Sequence, residues 1–192
     1  MNESVGCKTC TILTIGGIMD KGEIKFTNNK ELIEASNNDN IKVLSKENIE
    51  CLHTIALEDF GGSDGIRDEG LLDSVCVAPY QSVFEQDLYP TIYDKAAKLL
   101  FDFANYQIFV DGNKRTAVYT CITFLNINNY DLLLDNNELY NLTMNVANNH
   151  IDLPEVSKII ENNVIHIDYK PSKNYKDISI NEDKEQNYEE RE

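Results

Sequence analysis

Between residues 45 and 164, apolar side chains return every three or four positions, and each such run is cut by glycine, proline or a polar cluster. That period lines one face of an α-helix, and the cuts are too frequent for a coiled coil or a membrane span. The chain is therefore read as mainly α, a bundle of short amphipathic helices. Ser45 is an N-cap residue type, and Ile49, Leu52, Ile55, Ala56 and Phe60 follow at helical steps until Phe60-Gly61-Gly62-Ser63-Asp64-Gly65 ends the run. Asp68 caps a second helix running to about Ala78, with Leu71, Leu72, Val75 and Cys76 on its stripe, and Pro79 closes it. Residues 80–90 read as irregular or a short flap. A third helix carries Ile92, Ala96, Leu99, Leu100 and Phe103. A fourth starts near Asn113 with Ala117, Cys121, Phe124 and Leu125, and two more fit 136–149 and 154–162.

The flanks differ. Residues 1–44 form an N-terminal extension, in which β-formers broken by Gly and Asp over 11–26 predict a short β-hairpin. Residues 27–41 are Asn-rich and read as loop or a short helix. From residue 165 the apolar pattern fades, and the last eleven residues hold six carboxylates. Residues 165–192 thus read as an acidic, disordered tail, leaving a domain over 45–164. The net charge of −16 argues against a nucleic-acid partner, which needs clustered cations. No apolar run is long enough to span a bilayer, and the first ten residues lack a signal-peptide layout, so a cytoplasmic protein is expected. Five cysteines agree with that compartment: Cys51, Cys76 and Cys121 lie in apolar helical patterns and read as small core residues. Cys7-Lys8-Thr9-Cys10 has no second pair to complete a zinc site and reads as an exposed segment.

Chemistry concentrates in residues 107–116. A loop containing Asp111-Gly112-Asn113 opens directly into a helix. The first turn of a helix carries unpaired N–H groups and partial positive charge. Gly112 lets the backbone approach a ligand. Lys114 and Arg115 add two cations where the dipole disfavours them, which a bound anion explains. Asp111 is the loop's one acid and the candidate Mg2+ ligand. Phe109, apolar among polar neighbours, anchors the loop. The residues alone leave two readings level: a phosphate or nucleotide site, or a turn followed by two solvated cations.

Phe109-Val110-Asp111-Gly112-Asn113-Lys114-Arg115-Thr116-Ala117 resembles the signature of the Fic/Doc (death-on-curing) family. The upstream stretch from Gly61 to Ser74, Pro79, and Asp87-Leu88-Tyr89-Pro90 are similar to the same family, from about Leu52 to Glu161. The resemblance implies a Fic/Doc-type helical bundle that uses ATP and Mg2+. Lys114 and Val118 follow the Doc branch. That branch implies phosphorylation of a protein hydroxyl on a translation elongation factor, and a small antitoxin protein as partner. It further implies that Gly112, Asn113, Lys114 and Arg115 bind the triphosphate, that Asp111 holds Mg2+, and that residues near 79–90 guide the target. Protein adenylyl transfer is the third choice, after a Fic-fold pseudoenzyme that binds a nucleotide or a protein.

The departure is Gln107, which stands at the position of the family's catalytic histidine. Histidine removes a proton near neutrality; an amide has no such equilibrium. Losing a general base costs about 10²–10⁴ in rate, while positioning and charge stabilisation survive. Three readings stay open: a histidine replaced to silence a toxic kinase, a natural pseudoenzyme, or an enzyme whose base lies elsewhere, on His53 or His150. Ser157-Lys158-Ile159-Ile160-Glu161-Asn162 also matches an inhibitory pattern of some Fic proteins. Val118 stands where the arginine that pairs with that Glu is found, so an exposed helical Glu is the favoured reading.

Overall fold

A computed structural model describes residues 12–14, 17–19 and 41–167. Six α-helices lie among them, and each start is set by local chemistry. Ser45 caps α1 (Lys46–Phe60) and receives the Asn48 side chain in return. Asp68 caps α2 (Glu69–Val77), which runs on into one 3-10 turn, Ala78–Tyr80, at Pro79. Reciprocal Thr91–Asp94 bonds open α3 (Ile92–Asn105). Gly112 opens α4 (Asn113–Ile127), while Asp135 with Glu138 and Asp152 with Glu155 open α5 (Asn136–Ala147) and α6 (Leu153–Asn162). Helix α3 packs on α4, α5 and α6, and α4 also packs on α1. Leu52, Leu72, Leu99, Leu100, Phe103, Phe109 and Phe124 are fully buried between them. Each such side chain stabilises the fold by about 1.5–3 kcal/mol. No helix of the described residues is long and apolar enough to cross a membrane.

Three short antiparallel pairs decorate the bundle. β1 (Ile12–Thr14) pairs with β2 (Gly17–Met19), inside the segment expected to form a hairpin. β3 (Ser82–Val83) pairs with β4 (Gln86–Asp87) through Phe84 and Glu85, both left-handed at φ 50° and 63°. β5 (Tyr130–Leu132) pairs with β6 (Val164–His166), so a strand crosses residue 165, where the sequence reading ended the apolar pattern. Three-residue strands carry no usable period, and their pairing is non-local. The core also begins earlier than the helical period indicated. Val43 and Leu44 are buried, and Asn128 holds the Lys42 backbone through two hydrogen bonds of 2.8 and 2.9 Å.

Cys76 and Cys121 are free and buried. Cys51 is also buried, but it is disulfide-bonded rather than a free thiol, which corrects its reading as a plain core cysteine. The Cys7–Cys10 pair, the Asn-rich stretch to residue 40 and the tail from 168 lie outside the described residues. Fully buried Lys95 ties the β3–β4 segment down. Its ammonium donates to Pro79 O at 3.3 Å, Tyr89 O at 2.7 Å and the Asp87 carboxylate at 3.0 Å. A buried ammonium is stable only when so surrounded.

Candidate anion site at the start of helix α4

The loop before α4 is fastened from below. Phe109 is fully buried, its ring 3.8 Å from the His53 ring and nearly parallel to it, with Phe103 behind at 6.3 Å. Asn113 clamps the turn: its Oδ1 accepts the Phe109 N–H at 2.8 Å and its Nδ2 donates to Phe109 O at 2.9 Å. Gly112 takes the left-handed conformation at φ 75°. The backbone there favours glycine, and a Cβ would press on His53 and Leu57 at 3.2 Å. The Thr116 hydroxyl lies 3.0 Å from both Gly112 O and His53 Nδ1 and ties the two together by hydrogen bonds. His53 is therefore a buried part of the loop's support. Its Nε2 has no hydrogen-bond partner and lies 3.9 Å from Asp64 Oδ1. Burial pushes its pKa down, against the pull of Asp64.

A second segment runs antiparallel along this loop. Arg67 N and Asp68 N donate to Ile108 O, Val110 N donates to Gly65 O, and Ile66 bridges Phe109. Gly62 lies against Asp111 and Leu57, where a Cβ would sit 2.6 and 2.8 Å from side-chain atoms. At one end the Arg115 guanidinium donates to Gly61 O at 2.6 Å and Ala56 O at 3.2 Å and approaches Asp111 at 3.5 Å. At the other, Arg67 donates to the Gln107 side-chain oxygen and to Val110 O. The glycines of 61–65 thus form a strap lying along the whole motif.

What the loop leaves open is specific. Among the described α-helices only α4 lacks a side-chain cap, so its first-turn N–H groups keep no such acceptor. Lys114 is exposed beside them, as are Gln107 and Asp111. The Gly112 N–H, with Ser63 and Arg115 nearby, holds the Asp111 carboxyl below its ordinary value, so it is an anion at neutral pH. Backbone donors, the exposed Lys114 and one carboxylate facing solvent form an arrangement chemically suited to an anion with a hard cation. Among the described residues no three His, Cys, Asp or Glu side chains gather as metal ligands, so a metal here would lean on Asp111 and on oxygens from the ligand.

Comparison with known proteins places the chain in a family. A model of the Fic/DOC family matches residues 43–125. A Toxin Doc of Mycolicibacterium smegmatis is 44% identical over 92 residues, which cover 48% of this chain and 68% of that protein. The chain belongs to the Fic/Doc family. A protein named Protein kinase doc, from Escherichia phage P1, is 28% identical over 114 residues, 59% of this chain and 89% of that one. The matched family region includes the Fic/Doc motif and the glycine strap that lies along it.

The structure divides the motif residues by what their side chains already hold. Asn113 is engaged with Phe109, and Arg115 with the carbonyls at the end of α1. The Arg115 cation is thus favoured by the C-terminal dipole of α1, a partner that the local sequence could not show. Lys114 and the backbone of 113–115 remain for a ligand. Arg67 and Gly62 were not singled out as site residues, and His53 entered only as an alternative base, not as a support of the loop; their contacts span 40 or more positions, and only the glycine-rich spacing hinted at the strap. His150 is exposed and lies outside the loop and strap contacts. Glu161 pairs with Lys158 at 3.1 Å and Ser157 donates to Asp94 at 2.6 Å, so that stretch serves α6 and its packing on α3.

Proposed function

We propose that this chain is a Doc-like toxin, a phosphotransferase by descent, whose motif binds ATP with Mg2+ and whose transfer to a hydroxyl of a translation elongation factor is slowed by Gln107. The observation that carries this reading is the uncapped first turn of α4, with left-handed Gly112 at its head and Lys114 beside it. In this reading those N–H groups and Lys114 hold the phosphates, Asn113 and Arg115 keep the cradle in shape, and ionised Asp111 holds Mg2+. The bound nucleotide supplies the phosphoryl group. The acceptor oxygen forms a bond to the terminal phosphorus, the bond to the leaving diphosphate breaks, and the acceptor proton must depart. Gln107 cannot take that proton. His53 does not replace it, because its Nδ1 is engaged with the Thr116 hydroxyl and its Nε2 is buried. The β3–β4 segment guides the target, and a small antitoxin protein covers the site. The protein works in the cytoplasm, where ATP and its target are found.

Gln107→His tests the reading. With γ-phosphate-labelled ATP and elongation factor, the variant is expected to transfer label about 10²-fold or more faster than the parent. A folded variant that transfers none sinks the phosphotransferase reading, and label arriving only from the α-phosphate points to adenylyl transfer. A second reading, a Fic-fold pseudoenzyme that binds a nucleotide without turnover, draws on the Arg67–Gln107 contact. That contact occupies the Gln107 oxygen and keeps it from an incoming hydroxyl. ATP binding in both parent and Gln107→His, with no transfer by either, favours it.

A further inference from the structure

Phe60 ends α1 and is 69% exposed. A single exposed apolar side chain is ordinary; its position here is the informative part. The Arg115 guanidinium lies 5.9 Å from the centre of the ring, a cation–π separation. That guanidinium is held in place by hydrogen bonds to Gly61 O and Ala56 O. Tyr119, one turn further along α4, donates to Asp59 at 3.0 Å and fastens the last turn of α1 to α4. Phe60 therefore stands on a rigid seam, next to the third residue of the uncapped helix, with no other ring stacked on it among the described residues.

We propose that Phe60 is the stacking wall for the base of a nucleotide whose phosphates lie on the first turn of α4. The ligand class is then a nucleoside polyphosphate, not a bare polyphosphate. This rests on the phosphate reading above and adds the base to it. A flat, mostly exposed π face on a fixed element beside a phosphate cradle suits a base, which stacks on aromatic side chains whatever its identity. A Phe60 that only shields Arg115 would need no such exposure. It would also act on the phosphates and not on the base. Stacking alone cannot separate adenine from guanine, so ATP and GTP bind alike in this account. The stacking contribution corresponds to about tenfold in affinity.

Calorimetry on the full chain with ATP, GTP and inorganic tripolyphosphate, each with Mg2+, separates the cases. Phe60→Ala is expected to weaken ATP and GTP about tenfold and leave tripolyphosphate unchanged. Phe60→Trp should keep ATP binding. Because the chain has no tryptophan, its emission is then a clean signal, which ATP changes and tripolyphosphate does not. The proposal is overturned if Phe60→Ala leaves ATP binding intact, or if ATP and tripolyphosphate weaken together. It is also overturned if the two ligands change the emission of Phe60→Trp equally. Those results leave the phosphate cradle standing. A parent chain that binds neither ATP nor tripolyphosphate removes the cradle and this inference with it.

Discussion

Asn113→Ala removes both hydrogen bonds that fasten the motif loop to the start of α4. Asn113 receives the Phe109 N–H at 2.8 Å and donates to Phe109 O at 2.9 Å. Phe109 is fully buried, so neither backbone group can turn to solvent without lifting its ring off His53. Leaving one such group unpaired costs about 1–3 kcal/mol. Two cost roughly 2–5 kcal/mol, allowing for partial relaxation of the loop. For a domain of this size, about 2–4 °C is lost per kcal/mol, so the melting temperature falls by roughly 4–20 °C. Asn113→Asp keeps the acceptor and loses the donor, and should fall about half as far. Thermal melts at neutral pH, run beside ATP calorimetry, give both readouts. If Asn113→Ala melts with the parent and loses only ATP, Asn113 is a ligand and the clamp argument is wrong.

Burial holds the His53 pKa below its ordinary value, so the native imidazole stays neutral where the unfolded one takes a proton. Stability should therefore fall as pH drops below about 6.5, and His53→Gln should flatten that slope in urea melts between about pH 7.5 and 5.5; equal slopes refute it. Lys95→Met breaks three bonds around a buried ammonium and leaves the Asp87 carboxylate facing an apolar side chain. It should cost about 3–5 kcal/mol and speed hydrogen exchange over residues 82–89, and unchanged exchange there would count against Lys95 as the anchor of that segment. Gly62→Ala forces a Cβ to 2.6 Å from Asp111 Oδ2 at φ 132°. The Asp111 and Leu57 side chains must give way and the positive φ is strained for alanine, at a cost of about 1–3 kcal/mol, and a variant that melts like the parent contradicts the tight strap.

The helices were legible because their signals are local. Ser45, Asp68, Asp135 and Asp152 are N-cap residue types, and each caps the helix that begins at the next residue. The β5–β6 pair was not legible, because Tyr130 and His166 meet only through the fold. The same division holds at the site. Gly112 ahead of Asn113, Lys114 and Arg115 marks a loop entering a helix from sequence alone. That Arg115 reaches back to α1, that Arg67 reaches Gln107, and that His53 holds Thr116 are tertiary facts between segments 40 to 63 positions apart. Cationic residues at a helix start therefore suggested more free charge than the folded site keeps, since one of the two has partners of its own.

The central claim is that the first turn of α4, with Lys114, holds the phosphates of a nucleotide. Calorimetry of the parent and of Lys114→Ala with ATP and Mg2+ addresses it most directly, because Lys114 is exposed and its loss should leave the fold intact. The account predicts binding by the parent, weakened about tenfold or more in Lys114→Ala at an unchanged melting temperature. Equal affinity in the two proteins, or no binding by a folded parent, would contradict it.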